Sequence, residues 1–125
     1  MKNRAIGLFD EAIKKLNEAD HELSRPEEDV VSYLVCRNAQ AAIENFLKGY
    51  LLQNGIEPDN SKNIQGLYEQ CMSVNSRFKQ VDLSEFKCKA YKPDSRACND
   101  TEKVSNCLNI AGDLNHFFKK EKIYS

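Results

Sequence analysis

The stretch "CRNAQAAIENFLKGYLLQNGIEP", residues 36 to 58, decides how the rest of the chain is read. At about 100° per residue, Val31, Val35, Ala39, Ala42, Ile43, Phe46 and Tyr50 fall on one side, with Arg37, Glu44 and Lys48 nearly opposite. The period is helical. The alanines Ala39, Ala41 and Ala42 are places where another helix can approach closely, and the charged row is the face turned away from the core. Leu34 and Leu52 flank that row, so the apolar surface is wider than packing on one neighbour requires. This helix is therefore expected to touch several others, or a second subunit. Gly55 supplies a left-handed cap, and Pro58 forbids easy continuation.

Working outward, the helix is predicted to run from about Pro26 to Asn54. Pro26 suits a first helical turn, and Glu27, Glu28 and Asp29 place negative charge at the N-terminus. Before it, Ile6, Phe9, Ala12, Ile13, Leu16, Ala19 and Leu23 recur at steps of three and four, which predicts an amphipathic first helix of about five turns. After it, Ile64, Leu67, Tyr68, Cys71 and Met72 predict a shorter third helix with Ser61 as N-cap. Residues 76 to 98 are less periodic, with room for one short helix around Asp82 to Phe86 and then an irregular loop through Pro93. Asn99 then offers a cap with Glu102 three residues on. Val104, Cys107, Leu108, Ala111, Leu114 and Phe118 follow at helical spacing, with Lys119, Lys120 and Lys122 near the negative end of that last helix. Short connections between four amphipathic helices predict an all-α, up-and-down antiparallel four-helix bundle, with an extra short helix or loop between the third and last main helices.

A length of 125 residues with 41% hydrophobic content suits one domain over 1–125 with a single core. No apolar run approaches the about 18 residues that cross a bilayer, and the charged start, with Lys2, Arg4, Asp10 and Glu11, lacks the core of a signal peptide. A cytoplasmic location with no membrane contact is the expectation. Eighteen basic against nineteen acidic residues argue against a dedicated electrostatic nucleic-acid binder, so any such contact must be local. The five cysteines, Cys36, Cys71, Cys88, Cys98 and Cys107, form no C-x-x-C pair; they are read as reduced thiols, mostly small core residues.

Neither histidine, His21 or His116, has a second histidine or a glutamate at a metal-helix spacing, so no metal is expected. No general acid and base pair is identifiable, no catalytic residue is assigned, and no glycine-rich phosphate cradle or cofactor motif is present. The informative stretch is 77 to 96. There Arg77, Lys79, Lys87, Lys89, Lys92 and Arg96 face only Asp82, Glu85 and Asp94, with Phe78, Phe86 and Tyr91 interleaved. Cations grip phosphate and an aromatic ring offers a sequence-tolerant stacking platform. The plainer reading is a solvated loop anchored by its aromatics.

With these residues in place, "CRNAQAAIENFLKGYLLQNGIEPDNSKNIQGL" resembles the central motif of HEPN domains, the nucleotide-binding helical domains of higher eukaryotes and prokaryotes. Asn38, Ala39, Gln40, Ala41, Ala42, Glu44, Leu47 and Lys48 match the family's helix core, Gly55 to Pro58 match its turn, and Tyr91, Pro93 and Asp94 resemble its tyrosine-containing segment. The resemblance implies a bundle that commonly forms a homodimer, often beside a nucleotidyltransferase partner in a toxin–antitoxin pair. Some members are metal-independent ribonucleases whose signature is an arginine followed, after four to six intervening residues, by a histidine. Here His21 has Lys14 and Lys15 at that distance, and His116 has Asn109, Ile110 and Ala111. Where the family carries further histidines, this chain has Arg37 and Asn38, and Lys62 to Ile64. None of these side chains replaces imidazole as a proton shuttle near neutral pH.

The leading expectation is a non-catalytic module that binds a nucleotide or RNA, or docks a nucleotidyltransferase-like partner, through Arg37, Lys48, Tyr91, Lys92 and Arg96. Two alternatives stand beside it. One is a divergent ribonuclease toxin pairing Arg96 or Arg37 with His116, and the other a structural homodimer joined through Leu34, Leu51 and Leu52.

Overall fold

The computed structural model describes residues 2–26, 32–58, 63–81 and 101–121. Among them α1 spans Lys2–Leu23, α2 Ser32–Gln53, α3 Ile64–Val74 and α4 Thr101–Lys120, with a 3-10 turn at Ser76–Gln80 between the last two. No strand occurs among the described residues. The directions of the helices follow from their contacts. Arg4, at the start of α1, forks onto Glu57 just beyond α2, with bonds of 3.0 and 3.2 Å, so α1 and α2 are antiparallel. Phe118, near the end of α4, meets Phe9 of α1 at 5.6 Å and Phe46 of α2 at 5.3 Å between ring centroids. The fold is the expected up-and-down helical bundle.

The sequence of α2 makes it the centre. Val35, Ala39, Ala42, Ile43, Phe46 and Tyr50 are buried as their spacing requires, and so are Cys36, Leu47, Leu51 and Leu52 on the flanks. A helix apolar over so much of its circumference needs more than one neighbour, and α2 packs on α1, α3 and α4. Leu51 and Leu52, expected on a dimer flank, are core residues; of that group only Leu34 is exposed. Leu51 and Leu52 therefore do not form that face, because the helices packed on α2 cover more of it than its own pattern reveals.

The end of α2 is a Schellman motif around Gly55, whose φ of 76° is the left-handed conformation that glycine adopts at no steric cost. Ile56 N–H donates to Leu51 O at 2.8 Å and Gly55 N–H to Leu52 O at 3.0 Å. The other end departs from expectation. Pro26 is not helical, because Ser24 and Arg25 finish α1, donating back to Asp20 O and Glu22 O. Described α2 begins at Ser32, and Val31 and the Glu27, Glu28 and Asp29 cluster lie outside the described residues. α3 is capped by Asn63 rather than Ser61: the Asn63 side chain accepts from Gly66 N–H at 2.9 Å. Asparagine and serine cap equally well, and Asn63 stands immediately before Ile64, the first residue that must face the core. Asn75 then ends α3 and opens the 3-10 turn by accepting from Arg77 N–H at 3.0 Å. The short helix expected at Asp82 to Phe86 and the cap at Asn99 lie outside the described residues.

The 3-10 turn drives Phe78 into the core. Its ring lies 4.7 Å from Tyr50, 4.9 Å from Phe117 and 5.9 Å from Phe118, and its carbonyl accepts the Tyr68 hydroxyl at 3.0 Å. Such pairs add about 0.5–1.5 kcal/mol each beyond the area they bury. The surface ion pairs add less. Arg4 and Glu57 are 60% and 65% exposed, so although the hydrogen bond from Arg4 holds the Glu57 carboxyl below its ordinary range, solvent screens the pair.

Two cysteines diverge. Cys71 is a free, buried thiol whose Sγ–H donates to Leu47 O at 3.5 Å, and burial pushes its pKa up to about 12. Cys36, by contrast, is disulfide-bonded, which corrects the expectation of reduced thiols throughout. Pairing depends on which segments tertiary structure brings together, and cysteine spacing along the chain does not carry that information.

The tightest approach in the bundle is at Gly49. A Cβ there would stand 2.7 Å from Cε1 and 2.9 Å from Cδ1 of Phe9, a ring already held edge-on against Phe118. Gly49→Ala is expected to destabilise the fold by about 1–2 kcal/mol in urea denaturation, overpacking outweighing the gain in helix propensity. Gly112→Ala, where a Cβ meets nothing within 4 Å, is expected to stabilise it by about 0.5–1 kcal/mol. A second expected outcome concerns Cys71. The thiolate is the reactive form, so at pH 8 an aromatic disulfide reagent should modify Cys71 only at the rate of unfolding, the labelled residue being read by mass spectrometry.

Candidate functional site

Arg37 and Lys48 lie eleven residues apart on α2, which returns them to nearly the same side of the helix. At 1.5 Å per residue the separation is about 16 Å along the axis. Two cations that far apart do not clamp one phosphate; they can serve two groups along an extended ligand. Arg37 is exposed and Lys48 half-buried. Glu44 stands one turn before Lys48, the favourable order for a carboxylate and an ammonium on a helix. Tyr91, Lys92 and Arg96 lie outside the described residues. Among the expected site residues, the described positions are thus one stripe of α2.

Both histidines are exposed, on different helices. His21 borders a shallow groove along α1 with Asp10, Ile13, Lys14, Asn17 and Glu18. His116 lines a cleft of about 190 Å³ with Gln80, Val81, Asp113, Phe117 and Lys120. Neither lining contains an arginine. Phe118 of α4 meets α2 at Phe46 and Tyr50, so His116 sits near that level of the bundle. Arg37 is nine residues before Phe46, about 14 Å along the axis. The helices therefore hold Arg37 and His116 at different levels. Among the described residues, no three of His, Cys, Asp and Glu come together as metal ligands.

The cleft at His116 is built by two elements. Asp113, His116, Phe117 and Lys120 recur at steps of three and four along α4, one stripe of that helix. Gln80 and Val81 close the opposite side from the end of the 3-10 turn. Two polar contacts tie those elements together: Arg77 pairs with Glu121 at 2.8 Å, and Lys120 Nζ donates to Gln80 Oε1 at 3.4 Å. The hydrogen bond and attraction to Glu121 raise the Arg77 pKa above its ordinary value. Val81 and Phe117 are buried and form an apolar floor, while Gln80, Asp113, His116 and Lys120 are exposed around it. The chain pattern does show the α4 stripe. It does not show Gln80, which reaches the cleft only because Asn75 starts the 3-10 turn.

No helix among the described residues is long and apolar enough to cross a membrane. No curated protein and no solved structure matches the chain. The family model of the HEPN domain matches residues 7–122, which takes in α1 from its second turn, all of α2, α3 and α4, and the GIEP turn that caps α2. With the helical bundle and that turn in place, the match covers nearly the whole chain: the protein belongs to the HEPN domain family.

Proposed function

We propose that this HEPN domain is a non-catalytic module that binds a nucleotide or RNA, or docks a nucleotidyltransferase-like partner, as the HEPN component of a toxin–antitoxin pair. The observation that carries the reading is the family match over 7–122, taken with a chain that has no arginine at that spacing, four to six intervening residues, before either histidine. Arg37 and Lys48 on the outer stripe of α2, with Tyr91, Lys92 and Arg96 of the basic stretch, are the proposed contacts. Arginine and lysine would neutralise phosphates while Tyr91 stacks or hydrogen-bonds. The spacing of Arg37 and Lys48 favours a ligand with more than one phosphate, or a strand.

Two copies would present this stripe twice, and a homodimer is part of the proposal. Its interface is not the flank of Leu51 and Leu52, which are buried within one chain. A cytoplasmic setting is part of the proposal. The disulfide at Cys36 weighs the other way, because such bonds persist mainly in oxidising compartments.

Calorimetry with ATP, GTP and a short single-stranded RNA tests the site. The expected result is binding by the wild type that weakens about tenfold in Arg37→Ala and in the Lys92→Ala, Arg96→Ala double variant, with a shallower salt dependence in each. Binding that is unchanged in both variants would remove the site, and no binding by the wild type would remove the nucleotide reading.

A further inference from the structure

The cleft between the 3-10 turn and α4 is small, walled by two clamped elements, and lined by hydrogen-bonding groups of fixed sense. At about 190 Å³ it is below the roughly 300–1,000 Å³ of pockets that enclose a whole drug-sized ligand. It has room for one ring system, with the remainder of the molecule left outside. Its apolar floor of Val81 and Phe117 suits a planar heterocycle, and the exposed His116 imidazole offers a face on which such a ring stacks.

The polar rim has a direction. A lysine ammonium has donors and no acceptor, so the contact between Lys120 Nζ and Gln80 fixes the amide with its oxygen toward Lys120. The Gln80 amide NH2 is then the group left to donate into the cleft. The Asp113 carboxylate brings two oxygens that accept. The rim therefore offers one donor from the 3-10 turn and a pair of acceptors from α4. A ligand edge that complements it carries one carbonyl acceptor and two adjacent N–H donors. Guanine has that edge in its O6, N1–H and exocyclic amine. Adenine presents a donor beside a bare ring nitrogen, and cytosine and uracil lack two adjacent N–H donors.

We infer that the cleft formed by Gln80, Val81, Asp113, His116, Phe117 and Lys120 is a guanine-binding subsite, reading the base of a free guanine nucleotide or of a guanine in single-stranded RNA. It rests on the nucleotide-binding reading and adds to it a base preference at a place other than the α2 stripe. Asp113 accepts from N1–H and the exocyclic amine, Gln80 donates to O6, and Lys120 keeps the Gln80 amide turned the right way. The Arg77–Glu121 pair spans the two walls, and Phe78, packed on Phe117, seats the turn against α4.

Calorimetry with GMP, IMP and AMP, and with the pentanucleotides UUGUU and UUUUU, tests the subsite in the wild type, Asp113→Asn, Gln80→Ala and Arg37→Ala. The four side chains on the rim are exposed, and circular dichroism melts verify that each variant folds. The expected order for the wild type is GMP, then IMP, which lacks the exocyclic amine, then AMP. The span is about tenfold to a hundredfold, the discrimination of one good bidentate contact. Asp113→Asn should erase that order, Gln80→Ala should reduce it, and Arg37→Ala, on the separate stripe of α2, should keep it. A preference for UUGUU over UUUUU with weak GMP binding would support the subsite with RNA as the source of the base; tight GMP binding would support it with the free nucleotide. Nucleotides that bind without base preference, or with a preference untouched in Asp113→Asn, would overturn the subsite and leave the nucleotide reading standing. If no nucleotide or RNA binds, both fall together.

Discussion

The contact on which the rest of this bundle depends is the seat of the Phe9 ring on the bare backbone of Gly49. A hydrogen in place of a side chain lets α1 lie against α2 closely enough that the ring carbons would stand within 3 Å of a Cβ. Ala12 and Ala19 continue the seam on α1, and Ala39 and Ala42 on α2, all fully buried. Small residues on both helices bring the backbones together, and the Phe9 ring is then presented edge-on to Phe118. The arrangement of α4 follows from it, because Phe118 packs on Phe9, Phe46, Tyr50 and Phe78 at once. A core packed to this density does not deform continuously, so displacing one ring moves several.

The cleft and the outer stripe inherit their geometry from that centre in different ways. Arg37 and Lys48 are placed by α2 alone: once the apolar side of the helix is buried, the rise and twist of the helix fix where the charges project. The cleft needs more. Phe78 must enter the core for the 3-10 turn to lie against α4, the Tyr68 hydroxyl holds its carbonyl, and Asn75 joins α3 to the turn by capping both. Gln80 and Val81 then fall beside the α4 stripe of Asp113, His116, Phe117 and Lys120. Recognition at that cleft is thus a consequence of core packing, whereas recognition by the stripe is a consequence of helical periodicity.

That difference explains what the chain revealed before its structure was known. Periodic features were legible: the buried side of α2, the left-handed Gly55, the order of the helices and the family motif over "NAQAAIENFLKGYLLQNGIEP". Features set by tertiary choice were not. Asn63 and Ser61 are chemically equivalent caps, and the need to bury Ile64 selected Asn63. Pro26 is a good first helical residue by its chemistry, yet Ser24 and Arg25 are occupied in closing α1. Leu51 and Leu52 looked like an open flank, but their coverage by neighbouring helices is not written in α2 itself. Cys36 shows the same limit, since the partner of a disulfide is chosen by the fold. Of the binding residues, the polar stripe of α2 could be read from spacing, and the approach of Gln80 to α4 could not.

If the Phe9–Gly49 seam is the unit on which everything else rests, α1 cannot leave α2 without the whole bundle unfolding. Native-state hydrogen exchange of the wild type tests this directly, because it reports the free energy of opening residue by residue. The expected result is that amides at Phe9 to Ala12 and at Phe46 to Leu51 exchange with one common free energy, equal to that of global unfolding in denaturant. Exchange of the α1 amides at a clearly lower free energy, with α2 and α4 still protected, would show α1 peeling away on its own and would contradict the dependence of the fold on that seam.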